Sequence, residues 1–405
     1  MKILGIIAEY NPFHLGHAYH LKEAKQATKA DAVICVISSS FLQRGEPAVV
    51  DKWARAAMAL EAGADLVLEL PAVFACRSAL WFAQGGVQSL AATGVVTHLA
   101  FGAETADLEK LNFIAKILNK ETHFFSKTLA ENLKLGLSYP KAREVTLNKI
   151  FAKEGQQMKD LHNPNNILAL AYLRILNHID SPICPVLIKR KGSYHAEKPA
   201  GDMASATAIR KLILAEDLNW YKYVPAATKE ILQNNFARGK GPVTLASLEQ
   251  GIISSIRKLD VGQLKSIIEI REGIENRLWQ AAQSAGSIQD LLAELKTKRY
   301  PYTRLQRLLI HTYLNFTNEL NISSPHYLRL LGFNTTGTQL LKEIKAKSTL
   351  PLITKYADGY QKVSPLGKKM LDFEAKATDL YVLAYQNAQH RSGRQDFYHP
   401  PVMKS

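Results

Sequence analysis

Ile3-Leu4-Gly5-Ile6-Ile7-Ala8-Glu9-Tyr10-Asn11-Pro12-Phe13-His14-Leu15-Gly16-His17-Ala18-Tyr19-His20 passes from strand through turn to helix. Ile3 to Ala8 reads as a buried strand, and from His17 to Thr28 the pattern is helical. A turn of this kind leaves the first N–H groups of the helix unpaired, where they and the helix dipole favour an anion. His14 and His17, three apart, project from the same side of the first turn and can both donate to phosphate oxygens. Gly16 removes a side chain where a nucleotide must approach closely, and Asn11-Pro12 fixes the entry of the loop into the helix. Metal binding is the competing reading, since His20 continues the series. On a regular helix His20 lies ~120° around from His14, and neither Glu9 nor Glu23 sits at a spacing that completes a ligand set.

The same alternation continues along the chain. Ala32 to Ser38, Leu66 to Leu70 and residues 97–101 read as buried strands, with helices over 51–62 and 78–92 between them. Near-continuous apolar strands alternating with helices predict a Rossmann-like parallel sheet covered on both faces. Ligands in such sheets sit beyond the carboxyl ends of the strands, which places chemistry in the loops after Ala8, Ser38, Leu70 and Phe101. Residues 105–180 read as mostly helical and 185–189 as another strand. Ser205 is suited to cap a helix opening with Ala206-Thr207-Ala208-Ile209-Arg210. Beyond Asp217 few strands are expected: 245–256, 261–280, 287–295, 303–315 and 367–385 all have helical periodicity, and the tail after Asn387 reads as extended. The expected class is α/β, with a parallel-sheet domain over 1–216 followed by a mostly α-helical, basic domain over 217–405.

Composition narrows the partners. A hydrophobic content of 47% and a charged content of 21% are those of a globular chain, but the net charge of +15 over 405 residues favours a polyanion, nucleic acid before a membrane surface. No stretch approaches the ~18 apolar residues a membrane span needs, and the N-terminal apolar run is too short for a signal peptide before Glu9 interrupts it. Cys35, Cys76 and Cys184 are isolated, which argues against a zinc knuckle or a disulfide framework. The cytoplasm is the expected compartment. Neither a membrane nor a protein partner is indicated, and no Ser-His-Asp or Cys-His arrangement calls for a covalent enzyme intermediate.

His-x-Gly-His after a first strand resembles the nucleotidyltransferase superfamily related to class I aminoacyl-tRNA synthetases. Ser205-Ala206-Thr207-Ala208-Ile209-Arg210 resembles that superfamily's second phosphate motif. Its physics stands independently, because hydroxyls and N–H groups at a helix start, with a guanidinium one turn in, make an anion site. The longer strings Ile7 to His17, Phe41-Leu42-Gln43-Arg44-Gly45-Glu46-Pro47-Ala48, Asp65-Leu66-Val67-Leu68-Glu69-Leu70-Pro71 and Leu295-Lys296-Thr297-Lys298-Arg299-Tyr300 resemble the bacterial tRNA(Met) cytidine acetate ligases over nearly the whole chain. That resemblance implies a nucleotidyltransferase-like catalytic domain and a tRNA-binding helical domain. It implies ATP as substrate, with Mg²⁺, and activation of acetate as acetyl-adenylate. The acetyl group would then pass to the exocyclic amine of the wobble cytidine of elongator tRNA(Met), giving N4-acetylcytidine.

The resemblance also implies site residues. ATP contacts are expected along Ile7, Ala8, Glu9, Tyr10, Asn11, Pro12, Phe13, His14, Leu15, Gly16, His17, Ala18, Tyr19 and His20, and at Ser205, Thr207 and Arg210. His14, His17, Thr207 and Arg210 would be the catalytic donors. Gly102 would let the nucleoside pack on bare backbone, although it reads equally as a turn glycine. Asn165 would hydrogen-bond the nucleotide, with a helix-cap role or a contact through Asn166 as alternatives. Arg190 would meet phosphate, or be a surface charge beside Lys189 and Lys191. No carboxylate cluster identifies metal ligands.

Two further stretches bear on the acceptor. The loop Ser38 to Glu46, at a strand's carboxyl end, holds hydroxyls, an Arg and a Gly, and either shapes the acyl or cytidine pocket or merely connects. Between residues 296 and 307, five basic residues (Lys296, Lys298, Arg299, Arg304, Arg307) accompany Tyr300 and Tyr302. Cations neutralise phosphates while aromatic faces stack on unpaired bases, so this stretch is the candidate RNA contact. The rival readings are a small-molecule adenylyltransferase of the same superfamily and a tRNA-binding protein with a vestigial ATP site. The first leaves the basic helical extension without a use, and the second leaves His14, Gly16, His17 and Arg210 without one.

Overall fold

A computed structural model describes residues 1–105, 107–120, 123–137, 139–151, 163–189, 203–297 and 300–404. Its first part runs β1 (Ile3–Ala8), α1 (Leu15–Thr28), β2 (Ala32–Ser38), α2 (Lys52–Glu61), β3 (Leu66–Leu70), α3 (Ala72–Ala75), α4 (Ala79–Ala92) and β4 (His98–Ala103). Three helices follow, α5 (Leu108–Asn119), α6 (His123–Lys134) and α7 (Tyr139–Phe151), then α8 (Pro164–His178), β5 (Cys184–Lys189) and α9 (Ala206–Leu214). Next come α10 (Ala226–Ala237), α11 (Glu249–Arg257), α12 (Val261–Ser266), α13 (Ile274–Ser284), α14 (Ile288–Leu295) and α15 (Tyr302–Tyr313). The chain closes with β6 (Leu328–Phe333), α16 (Thr335–Lys347), β7 (Leu352–Ile353), α17 (Tyr356–Tyr360), α18 (Pro365–Val382), α19 (Gln395–Tyr398) and β8 (Val402–Met403).

The strands form one sheet in the order β5-β4-β1-β2-β3-β6-β7, with β8 beside β6. β1 to β5 are mutually parallel. The fold is therefore α/β with a parallel-rich sheet. Alternation along each strand separates two apolar layers. Ile34, Val36 and Leu68 pack in the layer that holds Phe82, Val87 and Leu90 of α4. Val33, Cys35 and Ile37 pack in the layer that holds Leu21 of α1 and Trp53, Ala56 and Leu60 of α2. The sheet grows in both directions from β1: β2 and β3 are added on one side, β4 and β5 on the other. The crevice beyond the carboxyl ends of β1 and β4 is thus the topological switch point, where ligands of open α/β sheets bind.

Two expectations for the second half are corrected. The periodicity over 261–280 is broken into α12 and α13, because Glu269 and Glu272 take positive φ (63° and 65°), Gly273 follows at φ 87°, and Ile267 bridges to Thr317. Strands also return after Asp217. β6 lies antiparallel beside β3 and carries β7 and β8, so the sheet spans both halves of the chain. An arginine inside a short apolar run hid β6; Arg329 is buried there because Glu69 and Asp396 pair with it. Among the described residues no helix is long and apolar enough to cross a membrane.

The loop after β2 is pinned against the second half. Gly45 has φ 75°, and a Cβ there would land on the backbone of Gln306 and Arg307 in α15. Gly45→Ala is expected to destabilise by on the order of 1–3 kcal/mol, through both the left-handed backbone and the collision. Urea denaturation measures this; an unchanged midpoint would mean that the loop and α15 separate at no cost.

Candidate active site

A cavity of about 230 Å³ opens at the switch point, floored by Ile7 and Ala8 of β1 and by Ala100, Phe101 and Gly102 of β4. The turn after β1 is shaped by Tyr10 in the left-handed region (φ 50°). It is tied to the second loop by Asn11, whose Oδ1 accepts the Val49 N–H at 2.7 Å. His14 is the N-cap of α1: its Nδ1 accepts the Gly16 N–H at 3.0 Å, while His17 Nδ1 accepts the His14 N–H at 3.2 Å. This is a capping box built from two imidazoles. Because each Nδ1 accepts, each neutral ring carries its proton on Nε2, which makes both rings donors. The rings stack with centroids 3.7 Å apart, and Tyr10 stands edge-on to His17 at 5.0 Å. A Cβ at Gly16 would meet the His14 ring at 2.9 Å, so this cap requires glycine.

The second motif opens α9, whose Ala208, Ile209 and Ile213 pack in the same apolar layer as α1 and α2. Ser205 caps α9 by accepting the Ala208 N–H at 3.1 Å, and Thr207 in the first turn lines the cavity. Arg210 reaches across, donating from Nη1 to the Asn11 carbonyl and from Nη2 to Glu46, both at 2.8 Å. Two helix N-termini, His14, His17 and the Arg210 guanidinium therefore meet at one cavity. Asn165 lines it while donating to Glu104 at 2.6 Å. Asn166 instead holds the loop after β4, accepting the Glu104 and Thr105 N–H groups at 3.1 Å and donating to Thr105 Oγ1 at 3.0 Å. Tyr19, His20 and Ser205 also line the cavity. Pro12 and Phe13 are buried, Leu15 and Ala18 are half-buried on α1, and none of the four lines it. Arg190 lies outside the described residues; its neighbour Lys189 lines the cavity.

Several cavity residues were not singled out from the sequence. Gln43, Arg44 and Glu46 enter from the loop Ser38 to Glu46, whose hydroxyls, Arg and Gly mark it in the sequence only as a whole. Phe82, Leu168 and Tyr172 form an apolar wall and pack with the core, so nothing in their periodicity separates pocket from interior. Arg55 of α2 is the least expected. Fully buried, it donates to the carbonyls of Glu9 and Ser38 at 2.8 Å, of Val50 at 3.2 Å, and of Ser39. One guanidinium thus satisfies the backbone at the carboxyl ends of β1 and β2. Glu9, in the same region, accepts the Gln43 N–H on Oε1 at 2.8 Å. Burial raises its pKa above the ordinary carboxylate value, against that hydrogen bond.

The basic stretch of the second half divides by environment. Lys296 is exposed, with its ammonium on the carbonyls of Thr297 and Tyr300 at 3.2 and 3.0 Å. Tyr300 is buried, and the Arg304 guanidinium sits 4.9 Å from its ring centre. Arg307 pairs with Glu269 (Nε–Oε2 3.3 Å) and reaches the Gln43 carbonyl at 3.4 Å, so it braces the second loop. Lys298 and Arg299 lie outside the described residues. Among the described residues no group of three or more His, Cys, Asp or Glu side chains is placed to hold a metal ion.

Comparison with known proteins finds relatives over the whole chain. Residues 1–396 match the HIGH Nucleotidyl Transferase family. The chain is 42% identical to the tRNA(Met) cytidine acetate ligase of Acetivibrio thermocellus, covering 98% of each, and 44% identical to that of Thermoanaerobacter sp., covering 99% of this chain and 100% of the relative. The crystal structure of Thermotoga maritima TmcAL bound with alpha-thio ATP superposes with a TM-score of 0.94 at 37% identity, over 100% of this chain and 99% of that one.

Proposed function

The chain belongs to the HIGH Nucleotidyl Transferase family and, within it, to the tRNA(Met) cytidine acetate ligases, and on that premise we propose a two-step reaction at the switch-point cavity. The enzyme is an ATP-dependent ligase. An acetate oxygen attacks the α-phosphorus of ATP in line and pyrophosphate leaves, giving acetyl-adenylate. Charge gathers on the phosphate oxygens, where the Nε2–H groups of His14 and His17, the Thr207 hydroxyl, the first N–H groups of α9 and the Arg210 guanidinium stabilise it. Gly102 offers bare backbone to the nucleoside and Asn165 a polar contact, while Arg190 serves the phosphates. The exocyclic amine of the wobble cytidine of elongator tRNA(Met) then attacks the acetyl carbon, AMP leaves, and N4-acetylcytidine results. Mg²⁺ would accompany the polyphosphate and shield its charge; among the described residues no group of three or more His, Cys, Asp or Glu side chains is placed to hold it.

Residues 1–216 carry the chemistry in this reading, and 217–405 bind the tRNA through Lys296, Lys298, Arg299 and Arg304, with buried Tyr300 and Arg307 supporting that surface from within, in the cytoplasm where tRNA is found. The observation that supports it most is the convergence of the α1 and α9 N-termini, with His14, His17 and Arg210, on one cavity. ATP–pyrophosphate exchange tests it, with acetate set against other small carboxylates, with and without tRNA. Acetate-dependent exchange is the expected result. No exchange with any carboxylate in either condition would instead favour a small-molecule adenylyltransferase or an RNA binder.

A further inference from the structure

The cavity holds two carboxylates in opposite settings. Glu46 is paired with Arg210 at 2.8 Å. Glu9 lines the same cavity with its Oε1 fixed by the Gln43 N–H, and among the described residues no cation is ion-paired with it. Arg210 is committed to Glu46 and the Asn11 carbonyl and Arg55 to backbone carbonyls, while Arg44 and Lys189 share the cavity and Arg44 acts on Glu9 through space. A carboxylate in a phosphate-binding cavity, held by the Gln43 backbone N–H and with no cation in ion-pair contact among the described residues, repels phosphate rather than grips it. It is suited to taking a proton. Pairs of acids whose environments differ in this way commonly divide roles, one structural and one acid–base.

We propose that Glu9 is the general base of the acetyl-transfer step, receiving the proton that the cytidine amine must lose. The assignment rests on the two-step reading above. The N4 nitrogen of cytidine attacks the carbonyl carbon of acetyl-adenylate, forming the C–N bond. The C–O bond to the adenylate phosphate breaks, and its electron pair leaves with AMP. One N4 proton passes to the Glu9 carboxylate, so the product is the neutral amide. The first step needs no such base, because acetate is already an anion.

The surroundings set the sign of the pH dependence. Burial raises the affinity of Glu9 for its proton and Glu46 adds to this, while the Gln43 N–H, Arg44 and Arg210 oppose it. Arg55 of α2, Tyr172 of α8 and Cys76 after α3 also interact electrostatically with Glu9, and His17 and His20 share the cavity. A base acts when deprotonated. The transfer rate should therefore rise with pH through an apparent pKa above the ordinary carboxylate range and then level off.

Glu9→Gln keeps an oxygen for the Gln43 N–H while removing the proton acceptor. The experiment compares wild type, Glu9→Gln and Glu9→Asp in acetate-dependent ATP–pyrophosphate exchange and in single-turnover acetyl transfer to tRNA across pH. Glu9→Gln is expected to slow transfer about 100-fold or more, and by at least about tenfold beyond whatever it costs exchange, with the rising limb of the transfer profile lost. Glu9→Asp should keep the limb at a reduced rate. Equal loss of both half-reactions would assign Glu9 to the ATP or metal site and overturn the proposal. So would a slowed transfer with an unchanged pH profile, which marks a positioning role, or no loss at all. A wild type lacking both half-reactions would overturn the two-step reading itself, and this assignment with it.

Discussion

His17→Ala should lower acetate-dependent pyrophosphate exchange by about 10²–10³-fold or more while the protein remains folded. Removing a single pre-aimed donor to a developing oxyanion costs that much in other enzymes. Here the substitution does more, because His17 Nδ1 accepts the His14 N–H and its ring stacks on His14 at 3.7 Å. Losing it deletes one Nε2–H donor and releases the other ring from its stacked orientation. The cost to folding is small by comparison, since a lost helix cap is worth ~1 kcal/mol and α1 still buries Leu21 and Ala24. The ratio of the two effects is therefore the diagnostic. Exchange measured beside thermal unfolding would show collapse of one and a shift of only a few degrees in the other. Unchanged turnover would remove the histidine pair from the mechanism.

Much of this site was legible in the sequence because its residues lie next to signals that have their own physics. The buried strand Ile3–Ala8, the glycine at position 16 and the cap at Ser205 each announce a local conformation. What local patterns could not show was their meeting. Arg210 reaches Asn11 and Glu46 across long stretches of chain, a contact created by the parallel crossover and by no periodicity. Arg55 illustrates the opposite failure. On an amphipathic helix it reads as a solvated charge, yet it is buried among four carbonyls, three at the ends of β1 and β2 and one, that of Val50, just before its own helix. β6 was missed for the same reason. Its arginine is tolerable in a strand only because acids contributed by β3 and α19 surround it. Buried charges answer to tertiary partners, and these are invisible to window-based reading.

Those partners make the junction between the two halves the place where one substitution should weaken the fold most. Lys52 opens α2, and its ammonium lies 2.5 Å from Glu69 of β3, 2.7 Å from Asp396 of α19 and 3.4 Å from Glu374 of α18, all shielded from water. Arg329 supplies the second cation. Two cations thus face three carboxylates, and the imbalance falls on Glu374. Burial, with Glu69 and Asp396 beside it, pushes its pKa up to about 7. Asp396 is held down to about 2 despite burial, because Arg329 and Lys52 favour its anion. Lys52→Met leaves one cation for three acids and is expected to destabilise by about 3–5 kcal/mol.

The pH dependence of that loss follows from linkage. Folded Glu374 binds its proton more tightly than an ordinary carboxylate at 4.5, so its contribution to stability is greatest at low pH and declines as pH rises through about 7. Without Lys52 the anion is less favoured still. The penalty of Lys52→Met should therefore be larger near pH 8 than near pH 5.5, where Glu374 takes up a proton and relieves the excess charge. Adding Glu374→Gln to Lys52→Met leaves one cation for two acids, the same excess of a single negative charge as in the wild-type cluster, and the double variant should be more stable than the single one at pH 8. Urea denaturation of the four proteins at both pH values gives the cycle directly. A single-variant loss below about 1 kcal/mol, the range of an exposed ion pair, would mean that water reaches the cluster and that the two halves are held by the β3–β6 pairing and apolar packing instead.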